Sequence, residues 1–247
     1  FESRAAAGGH ARKLADDGAA IVDIGGESTR PGAPVVSEGE ELRRTIPVIE
    51  ELRRDGFSAL ISIDTSKAEV ARAALEAGAD IVNDVTGLTG DPGMTEVVSG
   101  SGCGLVVMHM RGNPRTMQDA PEYNDVVTDV SIFLVERCRG AVAAGVDPGR
   151  IVVDPGIGFG KTLGQNRSLL RAIPEIGRKT GRPVLVGVSR KSMFAKILGR
   201  DDVPARKWPT VAVSAWARER GAGVLRVHDV KENIQAVRMT EAILAAG

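Results

Sequence analysis

Short runs rich in valine and isoleucine recur along the chain. Each is followed by a longer stretch in which apolar residues return every three or four positions. The runs that read as strands are Ala20–Gly25, Ala59–Thr65, Ile81–Val85, Leu105–Met110, Ile151–Pro155, Val184–Ser189 and Val224–Val230. Most lack strict alternation of apolar and polar positions, as expected of parallel strands covered by helices on one side and filled with side chains on the other. Between them, Ser37–Asp55 carries Leu42, Ile46, Ile49 and Leu52 on one helical face, and Lys67–Ala77 carries Val70, Ala73, Ala74 and Ala77. Ser37 with Glu40, and Ser66 with Glu69, have capping-box spacing and mark two helix starts. This alternation predicts an α/β protein with a parallel sheet. At 247 residues it fits one closed (β/α)8 TIM barrel, a single domain over 1–247, better than an open doubly wound sheet. Ser3–Asp17 reads as a helix with Ala7, Ala11, Leu14 and Ala15 on one side, so the pattern opens inside a β/α unit. The first strand of the barrel is therefore expected to be missing from the sequence.

Charge and composition narrow the function. Lysine plus arginine (32) balances aspartate plus glutamate (32), and no basic stretch marks a nucleic-acid or acidic-membrane partner. Any phosphate must then be met locally. The apolar runs are only strand-length, well short of the roughly 20 residues that span a bilayer, so a soluble protein is expected. Cys103 and Cys138 lack the close spacing of zinc sites or redox pairs and read as reduced structural thiols of a cytoplasmic protein. Aromatic residues make up 3% of the chain, which leaves the core to Ala, Val, Ile and Leu and argues against a base-stacking surface.

In a (β/α) barrel the active site forms where the strands end. The residues that close the strands here are Asp23; Asp64; Asn83 with Asp84; His109; Asp154; Ser189-Arg190-Lys191; and Arg226, His228 and Asp229. Taken singly, Asp64 reads as a helix cap, His109 as a satisfied core histidine, and Arg190 and Arg226 as salt-bridge partners. Taken together, they place acids, an amide and cations on one rim, more than capping requires. The stretch Asp154-Pro155-Gly156-Ile157-Gly158-Phe159-Gly160-Lys161 is not a Walker loop, because its first glycine is in the wrong place relative to Lys161 and Thr162. Its glycines instead let backbone approach a flat ligand. The loop Gly25–Gly32, which carries a cation, is suited to close over a substrate.

The ordered motifs Ile21-Val22-Asp23-Ile24-Gly25-Gly26-Glu27-Ser28-Thr29-Arg30-Pro31-Gly32, Ile63-Asp64-Thr65, Asn83-Asp84-Val85, Met108-His109-Met110, Asp154-Pro155-Gly156, Ser189-Arg190-Lys191-Ser192 and Arg226-Val227-His228-Asp229-Val230 resemble the dihydropteroate synthase family from end to end. The resemblance implies a (β/α)8 barrel, usually a homodimer, acting in cytoplasmic folate synthesis. It implies condensation of 6-hydroxymethyl-7,8-dihydropterin diphosphate with para-aminobenzoate to give 7,8-dihydropteroate and diphosphate. By resemblance Asp154 takes the aminopyrimidinone edge of the pterin, Asp64 and Asn83 neighbouring ring atoms, and Lys191 the acceptor side. Met108 and Phe159 flank the ring. Arg226, His228, Thr29 and Arg30 resemble the anion holders, with Mg2+ sharing the diphosphate charge. Lys191, Arg226 and His228 are thus the catalytic candidates, and Thr29, Pro31, Phe159, Lys191 and Ser192 the para-aminobenzoate pocket. The enzymes of this type are sulfonamide targets.

Two features depart from the family pattern. Its first strand normally ends in Asn-Val-Thr-Pro-Asp-Ser-Phe, with the asparagine serving diphosphate and metal, and only Phe1 matches here. Lys207-Trp208-Pro209-Thr210 replaces a start of small residues, which bears on dimer packing or nearby pocket shape. A pterin-dependent methyltransferase domain and a pterin-binding paralogue without turnover are the alternative readings. The cations Arg226, His228 and Lys191 argue against the first.

Overall fold

The computed structural model describes residues 4–30, 32–112, 117, 121–199 and 204–246. Helices and parallel strands alternate. The order is α1 (Arg4–Asp16), β1 (Ile21–Gly25), α2 (Glu38–Arg54), β2 (Leu60–Asp64), α3 (Ala68–Glu76), β3 (Ile81–Asp84), α4 (Met94–Ser101), β4 (Gly104–Met108), α5 (Val126–Ala143) and β5 (Ile151–Asp154). It continues through α6 (Leu163–Arg171), α7 (Ile173–Thr180), β6 (Leu185–Val186), α8 (Met193–Leu198), α9 (Lys207–Glu219), β7 (Val224–Leu225) and α10 (Val230–Leu244). Among the described residues no helix is long and apolar enough to cross a membrane. Two compact units emerge, one from residues 1–108 with 136–151 and one from 109–135 with 152–247.

In the first unit β1 to β4 pair in chain order, all parallel. Side chains alternate between the faces of a strand, and register partners in a parallel pair share a face. Ile61, Ile63 and Val82 therefore face one way, fully buried, while Ser62, Asp64 and Asn83 face the other. The apolar face of α2 is rotated from the one expected. Glu41, Thr45, Val48, Ile49 and Leu52 are buried, whereas Leu42 and Ile46 are only partly covered. Thr45 and Glu41 can turn inward because Lys67 and a backbone carbonyl satisfy them. α3 likewise buries Val70, Ala71 and Ala74.

Ser37 caps α2 as its spacing predicts, accepting from the Glu40 amide at 3.3 Å. The second expected box is corrected. Lys67, not Ser66, is the N-cap of α3, and the Asp91 carboxylate takes the Ala68 amide at 2.8 Å. An aspartate from a distant loop thus does what the local serine was expected to do.

In the second unit β6 and β7 pair in parallel, and Val153 bridges Val184. Each of these last two strands is only two residues long, so Arg226, His228 and Asp229 follow β7 rather than lie on it. Thr162 and Gln165 form a reciprocal capping box that starts α6 immediately after the glycine-rich turn. Cys103 and Cys138 are buried and form no disulfide, as expected of reduced structural thiols.

Candidate active site

The carboxyl ends of β1 to β4 supply one set of polar residues. Register pairs Asp64 with Asn83 on one side and with Gly25 on the other, so Asp64 and Asn83 share a face. Both are buried. The Asn83 amide donates to the Asp23 carboxylate at 3.3 Å, which brings Asp23 onto the same face. Asn83 is also in register with Val106, so Met108, two residues on and 3% exposed, belongs to that face too. Asp84 points the opposite way. Its carboxylate accepts from the Thr86 amide and hydroxyl and from the Leu88 amide, at 2.7 to 2.8 Å, and burial pushes its pKa up. It serves the turn after β3 and not the rim, because adjacent residues on a strand cannot share a face.

Thr29 and Arg30 lie in the loop that follows β1, the first half-buried and the second exposed. Pro31 lies outside the described residues. The first unit also has an open cavity of about 680 Å³ lined by Leu60, Ala79, Ile81, Cys103 and Arg150 among others. It opens where β2, β3 and β4 begin, the end opposite to Asp64 and Asn83, so it is not the site of the polar set.

The second unit builds a different cluster, one carboxylate among three cations. Asp154 ends β5, is buried, and accepts from the Gly156 amide at 2.7 Å. Burial pushes its pKa up, against the charges of Lys191, Lys161 and Arg226 and the Gly156 hydrogen bond, which hold it down. A Cβ on Gly187 would lie 3.8 Å from Arg226 Cβ and 3.9 Å from Asp154 Oδ2, so Arg226 and Asp154 flank this bare position. The Lys191 ammonium donates to the Ile157 carbonyl and lies 4.6 Å from the centre of the Phe159 ring. Desolvation pulls the Lys191 pKa down to about 8; Asp154 opposes the shift and Arg226 adds to it.

Sequence reasoning missed the role of Lys161. Its side chain is 2% exposed, and its ammonium reaches the carbonyls of Gly156 (2.9 Å), Phe159 (2.8 Å) and His109 (3.2 Å) and Nδ1 of His109 (3.0 Å). Desolvation lowers its pKa to about 7, with Asp154 resisting and Lys191 assisting. The turn folds this tightly only with glycine. Gly156 has φ +68°, and a Cβ there would meet the His109 carbonyl oxygen at 1.9 Å. The one available signal was the lysine closing the glycine-rich stretch.

The remaining candidates are placed as follows. Ser189 Oγ lies 2.8 Å from His228 Nδ1 and accepts from the His228 amide at 3.1 Å, which orients an otherwise exposed imidazole. Arg226 is exposed, and Ser192 is the exposed N-cap of α8. Arg190 turns to a structural task, as its salt-bridge reading allowed. Its guanidinium forks onto Asp229 at 3.0 and 2.6 Å, with its backbone at φ +57°.

Residues 1–228 match the family described as pterin binding enzyme. The dihydropteroate synthase of Synechocystis sp. is 46% identical over 243 residues, which is 98% of this chain and 83% of that protein. The chain belongs to the dihydropteroate synthase family of pterin-binding enzymes. Another relative, the dihydropteroate synthase of Escherichia coli, is 44% identical over 237 residues, 96% of this chain and 83% of its own. The family's solved structures agree. The crystal structure of the Yersinia pestis dihydropteroate synthase with a sulfonamide drug complex has a TM-score of 0.94 at 41% identity, covering 99% of this chain and 87% of that one. The Burkholderia cenocepacia dihydropteroate synthase complexed with 7,8-dihydropteroate has a TM-score of 0.91 at 46% identity, covering 99% and 88%. The fold class is therefore the α/β TIM barrel of this family, as the strand–helix rhythm predicts.

Proposed function

We infer that this chain is a transferase that condenses 6-hydroxymethyl-7,8-dihydropterin diphosphate with para-aminobenzoate. The observation that carries the reading, in a chain of this family, is the buried Asp154 carboxylate set among Lys161, Lys191 and Arg226 with the Phe159 ring beneath the Lys191 ammonium. A carboxylate suits the paired N–H donors of an aminopyrimidinone edge, and an ammonium beside an aromatic ring offers a donor to a ring acceptor and a face to a flat ligand.

In the reaction the lone pair of the aniline nitrogen forms a C–N bond to the pterin methylene. The C–O bond to diphosphate breaks, and diphosphate leaves with the electron pair. The nitrogen then gives its proton to solvent. The aniline is uncharged at neutral pH and needs no strong general base. Negative charge grows on the leaving oxygens, so preorganised cations lower the barrier. Arg226 and His228, with Thr29 and Arg30, are proposed to meet the diphosphate. Asp154, Asp64 and Asn83 are proposed to read the pterin, Lys191 its acceptor side, and Met108 and Phe159 its faces. Thr29, Pro31, Phe159, Lys191 and Ser192 are proposed for para-aminobenzoate.

Mg2+ is proposed as a companion of the diphosphate. It keeps several waters and takes few protein ligands. Among the described residues no three His, Cys, Asp or Glu side chains converge on a metal position, and the groups assigned to the diphosphate are cations and a hydroxyl. They do not fit as its ligands, and no step here is routed through the ion. A cytoplasmic homodimer of single-domain protomers is also proposed. The exposed Trp208 and Trp216 of α9 and Met239 and Ile243 of α10, two helices packed on each other, support self-association.

The test is an end-point assay of the full-length protein with the pterin diphosphate, radiolabelled para-aminobenzoate and magnesium. Labelled dihydropteroate with an equal yield of diphosphate is expected. Pterin binding without product would move the protein to a binding role.

A further inference from the structure

The loop after β1 has a stalk and an arm. Glu27 Oε1 accepts from the Val36 amide at 3.3 Å, so one side chain joins the two ends of segment 28–35. Its other oxygen accepts from the Lys67 ammonium, which also donates to Glu41 Oε2 at 2.5 Å. Glu41, in the first turn of α2, is 1% exposed, and Lys67 caps α3. The stalk is further pinned at Gly26. Arg44 donates to its carbonyl at 2.9 Å, and a Cβ there would come within 2.8 Å of Glu41 Cγ. The arm, by contrast, holds mainly to itself among the described residues. The Arg30 amide meets Ser28 Oγ at 3.4 Å, and the Ala33 amide donates to the Arg30 carbonyl at 3.1 Å.

The triad has two carboxylates on one ammonium. A buried Glu41 without a cation would be strongly unfavourable, so Lys67 is held in place by Glu41 and is itself the fixed point for Glu27. The two carboxylates keep the Lys67 pKa raised although burial alone would lower it. This is more ionic structure than a solvated connection needs. It fixes where the arm leaves the barrel strand and where it returns, while the tip carries Thr29 and Arg30.

We propose that Glu27 is a positioning residue of the condensation, which through Lys67 fixes the stalk of the 28–35 arm and so presents Thr29 and Arg30 to the diphosphate-bearing substrate. The proposal rests on the reading of Thr29 and Arg30 as diphosphate contacts. Glu27 itself touches no substrate, so its effect is selective. It concerns the diphosphate half of the substrate and not the pterin ring.

The experiment compares Glu27→Gln and Glu27→Ala with the parent in the full-length protein. It measures kcat and KM for the pterin diphosphate, the Kd for 6-hydroxymethyl-7,8-dihydropterin without diphosphate, and hydrogen exchange across 28–35. Glu27→Ala is expected to lower kcat/KM by about tenfold or more, because small misplacements of binding groups are costly. Its Kd for the free pterin should stay within about twofold of the parent, under 0.5 kcal/mol. Glu27→Gln, which keeps the Val36 contact and loses the charge, should fall between, and exchange in the arm should quicken in the same order. Unchanged kcat/KM with faster exchange overturns the proposal, as does parallel loss of affinity for both pterins, which signals general loosening. Arg30→Ala, run alongside, separates the failures. If it keeps the parent's kcat/KM, the assignment of Arg30 falls and the proposal with it. If it is impaired while Glu27→Ala is not, the arm matters and Glu27 does not position it.

Discussion

The Lys161 ammonium lies 3.0 Å from Nδ1 of His109, with both side chains buried. In its ammonium form Lys161 can only donate, so Nδ1 then accepts and the neutral imidazole carries its proton on Nε2. Burial, and then the Lys161 charge, drive the His109 pKa down to about 3. The glycine-rich turn after β5 is thus organised from inside by a lysine whose partners are three carbonyls and a neutral ring.

Replacing Lys161 with methionine keeps most of the side chain's length and removes every donor. The carbonyls of Gly156, Phe159 and His109 then lose a shared partner, and a stability loss of about 1–3 kcal/mol is expected. The urea midpoint of the variant measures it, and a midpoint equal to the parent's would show that the turn does not depend on Lys161.

His109 makes stability depend on pH. The unfolded imidazole takes up a proton below about 6.5 and the folded one only near 3, so its contribution is complete above pH 6.5 and is lost as pH falls toward 3. In this window the parent should lose about 1.4 kcal/mol per pH unit more than His109→Gln. Equal slopes in urea titrations at pH 6 and pH 4.5 would mean that the imidazole titrates normally.

Asp154→Asn retains the shape of the side chain and one acceptor but not the charge. Loss of a charge-assisted fork is expected to weaken binding of 6-hydroxymethyl-7,8-dihydropterin by about 100-fold, near 3 kcal/mol. Arg226→Ala should leave that affinity nearly intact and raise KM for the diphosphate form. Calorimetric titration of both variants with both ligands decides it. Parent-like pterin affinity in Asp154→Asn would remove Asp154 from the pterin site.

Arg190 is held at φ +57° while its guanidinium forks onto Asp229. Both Arg190→Ala and Arg190→Gly lose the fork, but only alanine keeps the left-handed strain. The glycine variant should be the more stable of the two by about 1 kcal/mol. Thermal unfolding of the pair reads this difference directly, and a more stable alanine variant would contradict it.

Chelation with EDTA should stop condensation while free pterin still binds, because Mg2+ is proposed to travel with the diphosphate. Added magnesium should restore turnover. Full activity after exhaustive chelation would leave the cationic side chains as the only stabilisers of the leaving group.

Local sequence was enough to find the strands, since runs of β-branched residues between helical stretches leave few alternatives, and the strand ends then named Asp64, Asn83, Asp154, Lys191, Arg226 and His228. Tertiary structure decided what a one-dimensional pattern does not contain: which neighbour faces inward and which distant group satisfies it. Asn83 and Asp84 are equivalent as letters, yet register with Asp64 puts only Asn83 on that face. Glu41 is not among the apolar residues that mark the inner face of α2 in the sequence, and it is buried because Lys67, brought up from the start of α3, neutralises it. Lys161 reads in the sequence as the lysine that closes the glycine-rich stretch, and Ser66 reads as a cap. The first is buried among the carbonyls of Gly156, Phe159 and His109, and the second gives way to Asp91, whose carboxylate accepts from the Ala68 amide. Periodicity is a property of neighbouring residues and survives in the sequence. The partner of a buried charge is set by contacts across the fold, and only the folded chain selects it.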